Sequence, residues 1–129
     1  MEKKTFYITT PIYYPSGKFH LGTAYTTVLA DTIKKYKQQR GYDARMLTGL
    51  DGQKVEQVAV KRGLTPQQHV DEIAKQAKDL WKLMDVQYDD FIRTTEERHT
   101  KIVEKIFDKF MEQGDIYKGE YEGWYCMPC

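Results

Sequence analysis

Apolar positions along the chain change their period several times and predict alternating strands and helices. Thr5–Thr10 is rich in β-branched and aromatic residues and ends at Pro11, which is typical of a short buried strand. The prolines and glycine of 11–18 predict a loop. From about His20, apolar residues recur at three- and four-residue steps and predict an amphipathic helix ended by Gly41. Its apolar positions are Leu21, Ala24, Tyr25, Val28, Leu29, Ile33 and Tyr36.

A second short strand is predicted over Ala44–Thr48, closed by Gly49. A strand, a loop, a helix and a strand of these lengths form a βαβ unit, in which the two strands run parallel. A third strand is predicted over Asp90–Thr94. The chain is therefore expected to be α/β, with three parallel strands and helices packed on them.

Capping signals and glycines delimit three further helices. One is predicted over about 53–61. Thr65-Pro66-Gln67-Gln68 combines an N-cap Thr, a Pro at the first helical position and a Gln three residues on, and begins the next helix. That helix carries its apolar side chains at Val70, Ile73, Ala74, Ala77, Leu80, Trp81 and Met84. Thr94-Thr95-Glu96-Glu97 is interpreted as another capping box, and the aromatic tail after Gly114 predicts one or two short strands.

Composition and charge narrow the class of protein. The 129 residues amount to about one domain, and a net charge of +1 indicates no overall attraction to nucleic acid. A basic cluster is expected on a solvated helix face: Lys34, Lys35, Lys37 and Arg40. Neither a secretory signal nor an apolar run long enough for a membrane span is present, so a cytoplasmic protein without membrane contact is expected.

The predicted helix start at His20 follows the first strand and is a candidate anion site. A helix N-terminus presents free N–H groups and the positive end of the helix dipole, which favours phosphate. His20 can donate to a phosphate oxygen, and Gly22 lets a base or ribose approach the backbone. The alternatives are that His20 only caps the helix and that Gly22 only relieves crowding. The turn contains no dinucleotide fingerprint and no P-loop.

Several separated segments resemble one family. Pro11–Gly22 resembles the H-I-G-H signature region of class I aminoacyl-tRNA synthetases, and Thr9–Pro15 is typical of the methionyl branch. Asp89–Glu96 and Gly114–Tyr117 are similar to the same branch. The resemblance implies ATP-dependent activation of methionine, with Mg²⁺ accompanying ATP, and transfer of the methionine to its tRNA.

The same resemblance implies a domain organisation and residue roles. Residues 1–114 would be the N-terminal half of a Rossmann-like catalytic domain, and residues 115–129 the start of a connective insertion. It assigns catalysis to His20 and Thr23, ATP binding to His20, Gly22 and Thr23, and methionine binding to Pro11, Ile12, Tyr14 and Asp51. The side chain of Asp51 would hold the substrate ammonium, and its alternative role is to cap the following helix.

Two departures from the family pattern fall in this half-site. The final His of the signature is replaced by Thr23, whose hydroxyl cannot carry positive charge. The usual Asp-Glu-His-Gly stretch is shortened to Asp51-Gly52. An attenuated or altered site is therefore expected. The second ATP signature, K-M-S-K-S, is absent from these 129 residues, so the chain alone is not expected to charge tRNA, and a non-catalytic binding or folding module is the rival interpretation.

Both cysteines form a C-x-x-C pair, Cys126 and Cys129. Structural zinc sites commonly need four such ligands, so this pair is half a site. In many methionyl-tRNA synthetases a similar pair begins a zinc knuckle in the connective insertion. The two alternatives are half of a Zn²⁺ site completed further along the protein and two free thiols.

Overall fold

The computed structural model describes residues 3–15, 18–52 and 55–124. Its three strands form one parallel sheet in which they lie in chain order, which confirms the predicted α/β class. In chain order the elements are β1 (Thr5–Tyr13), α1 (Leu21–Gln39), β2 (Asp43–Leu50), α2 (Val55–Lys61), α3 (Pro66–Leu83), β3 (Asp90–Arg93) and α4 (Glu97–Gln113).

Strand β1 is longer than predicted and runs through Pro11 to Tyr13. The prediction of a loop beginning at Pro11 was wrong, because the pairing with β2 resumes at Ile12 and Gly49 after a register shift that follows Thr9. A proline cannot donate a ladder hydrogen bond, and it is tolerated in an edge strand at such an irregularity. The extension carries the strand to the rim of the cavity described below.

Strand β2 also continues past its predicted end at Gly49, to Leu50. Glycine there does not stop the strand. A Cβ on Gly49 would overlap the carbonyl oxygen of Ile92 on β3, so glycine allows the two backbones to approach. The pairing of β2 with β3 then continues to its last pair, Leu50 with Arg93.

Helix α1 turns a different face to the sheet from the one its apolar pattern indicates. Of the predicted apolar positions, Leu21, Tyr25, Leu29 and Tyr36 are exposed. The predicted Ala24 is buried, and Val28 and Ile33 are half-buried. The other buried residues of α1 are small or polar: Thr23, Thr27, Ala30, Asp31 and Lys34. The expectation of a fully solvated basic face was wrong for Lys34, which is 4% exposed. Its Nζ lies 2.7 Å from Asp89 Oδ2 and donates to the carbonyl of Gln87 at 2.8 Å. Buried charge of this kind requires such partners.

Helix α3 follows its prediction closely. Thr65 Oγ1 accepts the N–H of Gln68, and the Gln68 side chain accepts the N–H of Thr65, which completes the capping box. The predicted apolar side is buried except that Leu80 is half-buried and Met84 is exposed. Trp81 lies in the main core with Met46 and Leu50 of the sheet. The buried side of α3 therefore packs in the same core as the sheet residues.

Beyond β3, two predictions were wrong. The helix begins at Glu97, and Thr94 does not cap it because its hydroxyl bonds the Asp51-Gly52 loop instead. The described part of the tail, 114–124, contains none of the strands predicted over 115–129, and 125–129 lie outside the described residues. A strand requires a paired neighbour to satisfy its backbone groups.

The chain divides into two compact units, Met1–Glu96 and Glu97–Cys129. The first contains the sheet and helices α1 to α3, and the second contains α4, whose apolar side chains are exposed. Within the described ranges, no helix is both long and apolar enough to cross a membrane.

Candidate functional site

A cavity of about 410 Å³ opens at the carboxyl end of β1, bounded by that strand, the following loop and the first turn of α1. Ligands of open α/β sheets bind at this end of the strands. The lining residues are Pro11, Ile12, Tyr13, Tyr14, Lys18, Phe19, His20 and Thr23. One wall is apolar and aromatic. The other carries Lys18 and His20, and the first turn of α1 has no acidic residue, so this wall suits an anion.

The structure brings five of the predicted site residues to one cavity. Three came from the predicted methionine contacts, Pro11, Ile12 and Tyr14, and two from the predicted ATP contacts, His20 and Thr23. Two other predicted residues, Gly22 and Asp51, do not line it. The apolar wall and the helix start are therefore adjacent in one cavity.

His20 is both the cap of α1 and a residue of the cavity wall. Its Nδ1 accepts the N–H of Gly22 at 3.1 Å, and its extended backbone is that of an N-cap. The capping alternative is therefore correct. The other ring nitrogen remains a donor, because a neutral ring that accepts at Nδ1 carries its proton on Nε2. That N–H is a donor on an exposed side chain.

Gly22 makes room for the His20 ring. A Cβ at Gly22 would lie 3.0 Å from His20 Cε1, closer than ordinary van der Waals contact. The crowding alternative for this glycine is thus supported by its geometry. Substitution at Gly22 would displace the imidazole that caps the helix.

Thr23 is buried, and hydrogen bonds within α1 and to β1 surround it. The Thr27 hydroxyl donates to the Thr23 carbonyl at 3.0 Å, and the Tyr13 hydroxyl lies 2.8 Å from Thr27 Oγ1. Because Thr27 uses its proton on the carbonyl, Tyr13 donates to Thr27. The first turns of α1 are therefore attached to the end of β1, and the Thr23 side chain occupies the base of the cavity wall.

Asp51 follows β2 directly and is attached to the turn after β3. Its N–H donates to the Tyr13 carbonyl at 3.0 Å, and its Oδ1 accepts from the Thr94 hydroxyl at 3.2 Å. The same hydroxyl accepts the N–H of Gly52 at 2.8 Å. A Cβ on Gly52 would overlap the Thr95 methyl group. Thr94 therefore fixes the shortened loop, and the sequence pattern assigned this residue to a helix cap instead.

Other residues of the site were missed by the sequence analysis. Tyr13, Lys18 and Phe19 line the cavity, and all three lie inside the signature-like segment, which was the available signal. The rings of Tyr13 and Phe19 lie 6.2 and 6.0 Å from that of Trp81 on α3. Nothing in the local pattern connects Trp81 to this loop, because the contact joins distant parts of the chain.

The predicted zinc ligands, Cys126 and Cys129, lie outside the described residues. Among the residues that the structure does describe, no group of three or more His, Cys, Asp or Glu side chains could hold a metal ion.

Comparison with known proteins identifies the family. A family model described as tRNA synthetases class I (M) matches residues 6–129. The chain belongs to the class I methionyl-tRNA synthetases. A methionine–tRNA ligase of Halalkalibacterium halodurans is 61% identical over 98% of this chain, and one of Caldanaerobacter subterraneus is 60% identical over 98%.

A solved methionyl-tRNA synthetase has the same fold. The Mycobacterium tuberculosis methionyl-tRNA synthetase in complex with methionyl-adenylate superposes with a TM-score of 0.87 at 32% identity, covering 96% of this chain and 25% of that one. This chain spans 20% of the length of the two ligases. The α/β fold and the membership of the methionyl-tRNA synthetase family are thereby confirmed.

Proposed function

We propose that this chain supplies the methionine and ATP half-site of an enzyme that forms methionyl-adenylate from methionine and ATP and transfers methionine to its tRNA. The carrying observation is that five residues, assigned separately to methionine and to ATP, line one cavity at the start of α1. The related ligases and the adenylate-bound M. tuberculosis synthetase support this proposal.

The cavity wall suggests how the two substrates are placed. Ile12, Tyr14 and Pro11 form an apolar surface suited to a thioether side chain. Lys18 and the Nε2–H of His20 face the position of the phosphates, where charge increases as the methionine carboxylate attacks the α-phosphate and pyrophosphate leaves. Positioning and charge stabilisation account for this step without a protein nucleophile.

Three assignments extend from the same proposal. Asp51 binds the substrate ammonium from beside the cavity: its N–H donates to the carbonyl of the lining residue Tyr13, and the Thr94 hydroxyl orients its carboxylate. Gly22, whose missing Cβ accommodates the His20 ring, lies on the adenine side of the helix start. Thr23 takes the place of a histidine in the signature, and its uncharged hydroxyl weakens ATP binding and adenylation relative to that histidine.

The cofactors of the proposed reaction differ in how they fit these residues. Mg²⁺ accompanies ATP through the phosphates, because none of the residues that the structure shows lining the cavity is a carboxylate. Zn²⁺ requires ligands beyond Cys126 and Cys129. We further propose that residues 1–114 are the N-terminal half of the catalytic domain, that 115–129 begin the connective insertion, and that the enzyme acts in the cytoplasm.

Calorimetry tests the proposal. The chain is expected to bind methionine and ATP at millimolar or tighter dissociation constants, to bind leucine and valine more weakly than methionine, and to bind ATP more tightly in Thr23→His. His20→Ala is expected to weaken ATP binding while methionine binding changes little. Absence of binding for both substrates would leave the chain as a folding module, and equal binding of unrelated amino acids would contradict methionine specificity.

A further inference from the structure

His69 is the fourth residue of α3 and is 1% exposed. Its Nε2 is 2.7 Å from the carbonyl oxygen of Pro15, which lies 54 positions earlier in the loop after β1. Its Nδ1 is 2.7 Å from Nη1 of Arg62, and Arg62 is paired with Glu72 at 2.7 Å. Both ring nitrogens of a buried histidine are therefore engaged.

The two hydrogen-bond partners of His69 require the same tautomer of its ring. An arginine guanidinium can only donate, so Nδ1 must accept from Arg62. A carbonyl can only accept, so Nε2 must donate to Pro15. Both requirements are met by the neutral ring with its proton on Nε2, and Glu72 holds Arg62 in the position that selects this tautomer.

The carbonyl that His69 contacts lies next to the cavity wall, one residue after the lining residue Tyr14. Pro15 is fully buried and directly follows Tyr14, a lining residue. The same helix contacts the loop again near its other end, where Trp81 packs against Phe19 at a ring separation of 6.0 Å. Ring packing allows sliding, whereas a hydrogen bond between buried groups fixes an orientation. Among the described residues, His69 thus makes a directional contact between α3 and this loop.

We propose that His69 is a positioning residue for substrate binding: through the Pro15 carbonyl it orients the loop that carries Tyr14 and the helix start at His20. This inference rests on the proposed function. Loss of the donor would leave a buried carbonyl without its partner, so the loop would shift to satisfy it. The Tyr14 ring would then leave the position that contacts the ligand.

Three variants separate positioning from general stability. His69→Leu fills the space without either hydrogen bond. His69→Gln keeps a donor and an acceptor at a separation close to that of the ring nitrogens. Ile73→Ala, one turn along α3 in the core, lowers stability and removes no hydrogen bond to the loop. Each variant is titrated with methionine and with a non-hydrolysable methionyl-adenylate analogue by calorimetry, and its unfolding is followed in urea.

The expected result is a loss of affinity of about tenfold in His69→Leu, with His69→Gln within about threefold of the unsubstituted chain. Ile73→Ala is expected to lose stability and to keep its affinity. Equal weakening by His69→Leu and Ile73→Ala, or unchanged affinity in His69→Leu, would overturn the positioning role.

A second readout needs no ligand. Long-range ¹H–¹⁵N correlation spectra of the imidazole are expected to show protonation at Nε2 and none at Nδ1. If the unsubstituted chain binds neither ligand while the ring has this tautomer, the proposed function fails and the contact to Pro15 stands. Protonation at Nδ1 would overturn the contact itself.

Discussion

The buried ammonium of Lys34 offers a quantitative test of how α1 is attached to the sheet. Lys34→Met keeps most of the buried aliphatic stem and removes the bonds to Asp89 and to the Gln87 carbonyl. Asp89 keeps the N–H of Met46 at 2.7 Å, and its side chain is 37% exposed, so water replaces part of the loss. Removing one partner of a fully buried pair typically destabilises by about 3–5 kcal/mol. With Asp89 half in water, we expect about 2–3 kcal/mol.

The assay is urea unfolding monitored by the fluorescence of the buried Trp81. The control is Lys75→Met on the exposed face of α3, which should change the free energy of unfolding by less than about 0.5 kcal/mol. A loss in Lys34→Met no larger than in Lys75→Met would refute the assignment of a stabilising buried pair.

The pH dependence of the free energy of unfolding provides a second test with the same variant. Burial raises the pKa of Asp89, but the Lys34 ammonium and the Met46 N–H outweigh it, and the pKa lies below its ordinary value of 3.8. A lowered carboxyl pKa contributes stability above the unfolded-state value that is lost as the pH falls through the folded-state value. The chain should therefore lose stability below about pH 4, and this acid loss should be smaller in Lys34→Met.

Two further predictions concern local geometry. Thr65→Ala removes the capping box of α3 and should lower the free energy of unfolding by about 1 kcal/mol in urea titrations. Thr32→Ala, at an exposed position of α1, should lower the free energy of unfolding by less than half of that. Gly49→Ala places a Cβ against the β3 backbone and should destabilise the chain by about 3 kcal/mol or prevent folding. The control Gly119→Ala, where a Cβ makes only ordinary contact, should leave the melting temperature unchanged. Equal effects of the two substitutions would contradict the close approach of β2 and β3.

Features determined by neighbouring residues were predictable from the sequence. The capping box at Thr65 and the apolar side of α3 depend on positions three and four apart, and both are present. The parallel sheet followed from the lengths of the elements. Five of the cavity residues followed from a signature-like segment, whereas Tyr13, Lys18 and Phe19 of the same segment were missed.

Features determined by distant partners were not predictable. The Lys34 ammonium can be buried because the Asp89 carboxylate and the Gln87 carbonyl pair with it, and no local sequence pattern predicts these distant partners. β1 continues through Pro11 because its pairing with β2 resumes at Ile12 and Gly49. Thr94 does not cap α4, because its hydroxyl donates to the carboxylate of Asp51. Each mismatch arises where a tertiary contact overrides a local preference.

The central claim is that one cavity at the start of α1 receives both methionine and the phosphates of ATP. The most direct measurement is to titrate the ¹⁵N-labelled chain with methionine and then with ATP and Mg²⁺, and to map the amide shifts. Methionine should perturb Ile12 and Tyr14, and ATP should perturb His20 and Thr23, while residues along α4 stay unchanged. Saturable shifts confined to another surface, or none at either set, would contradict the account.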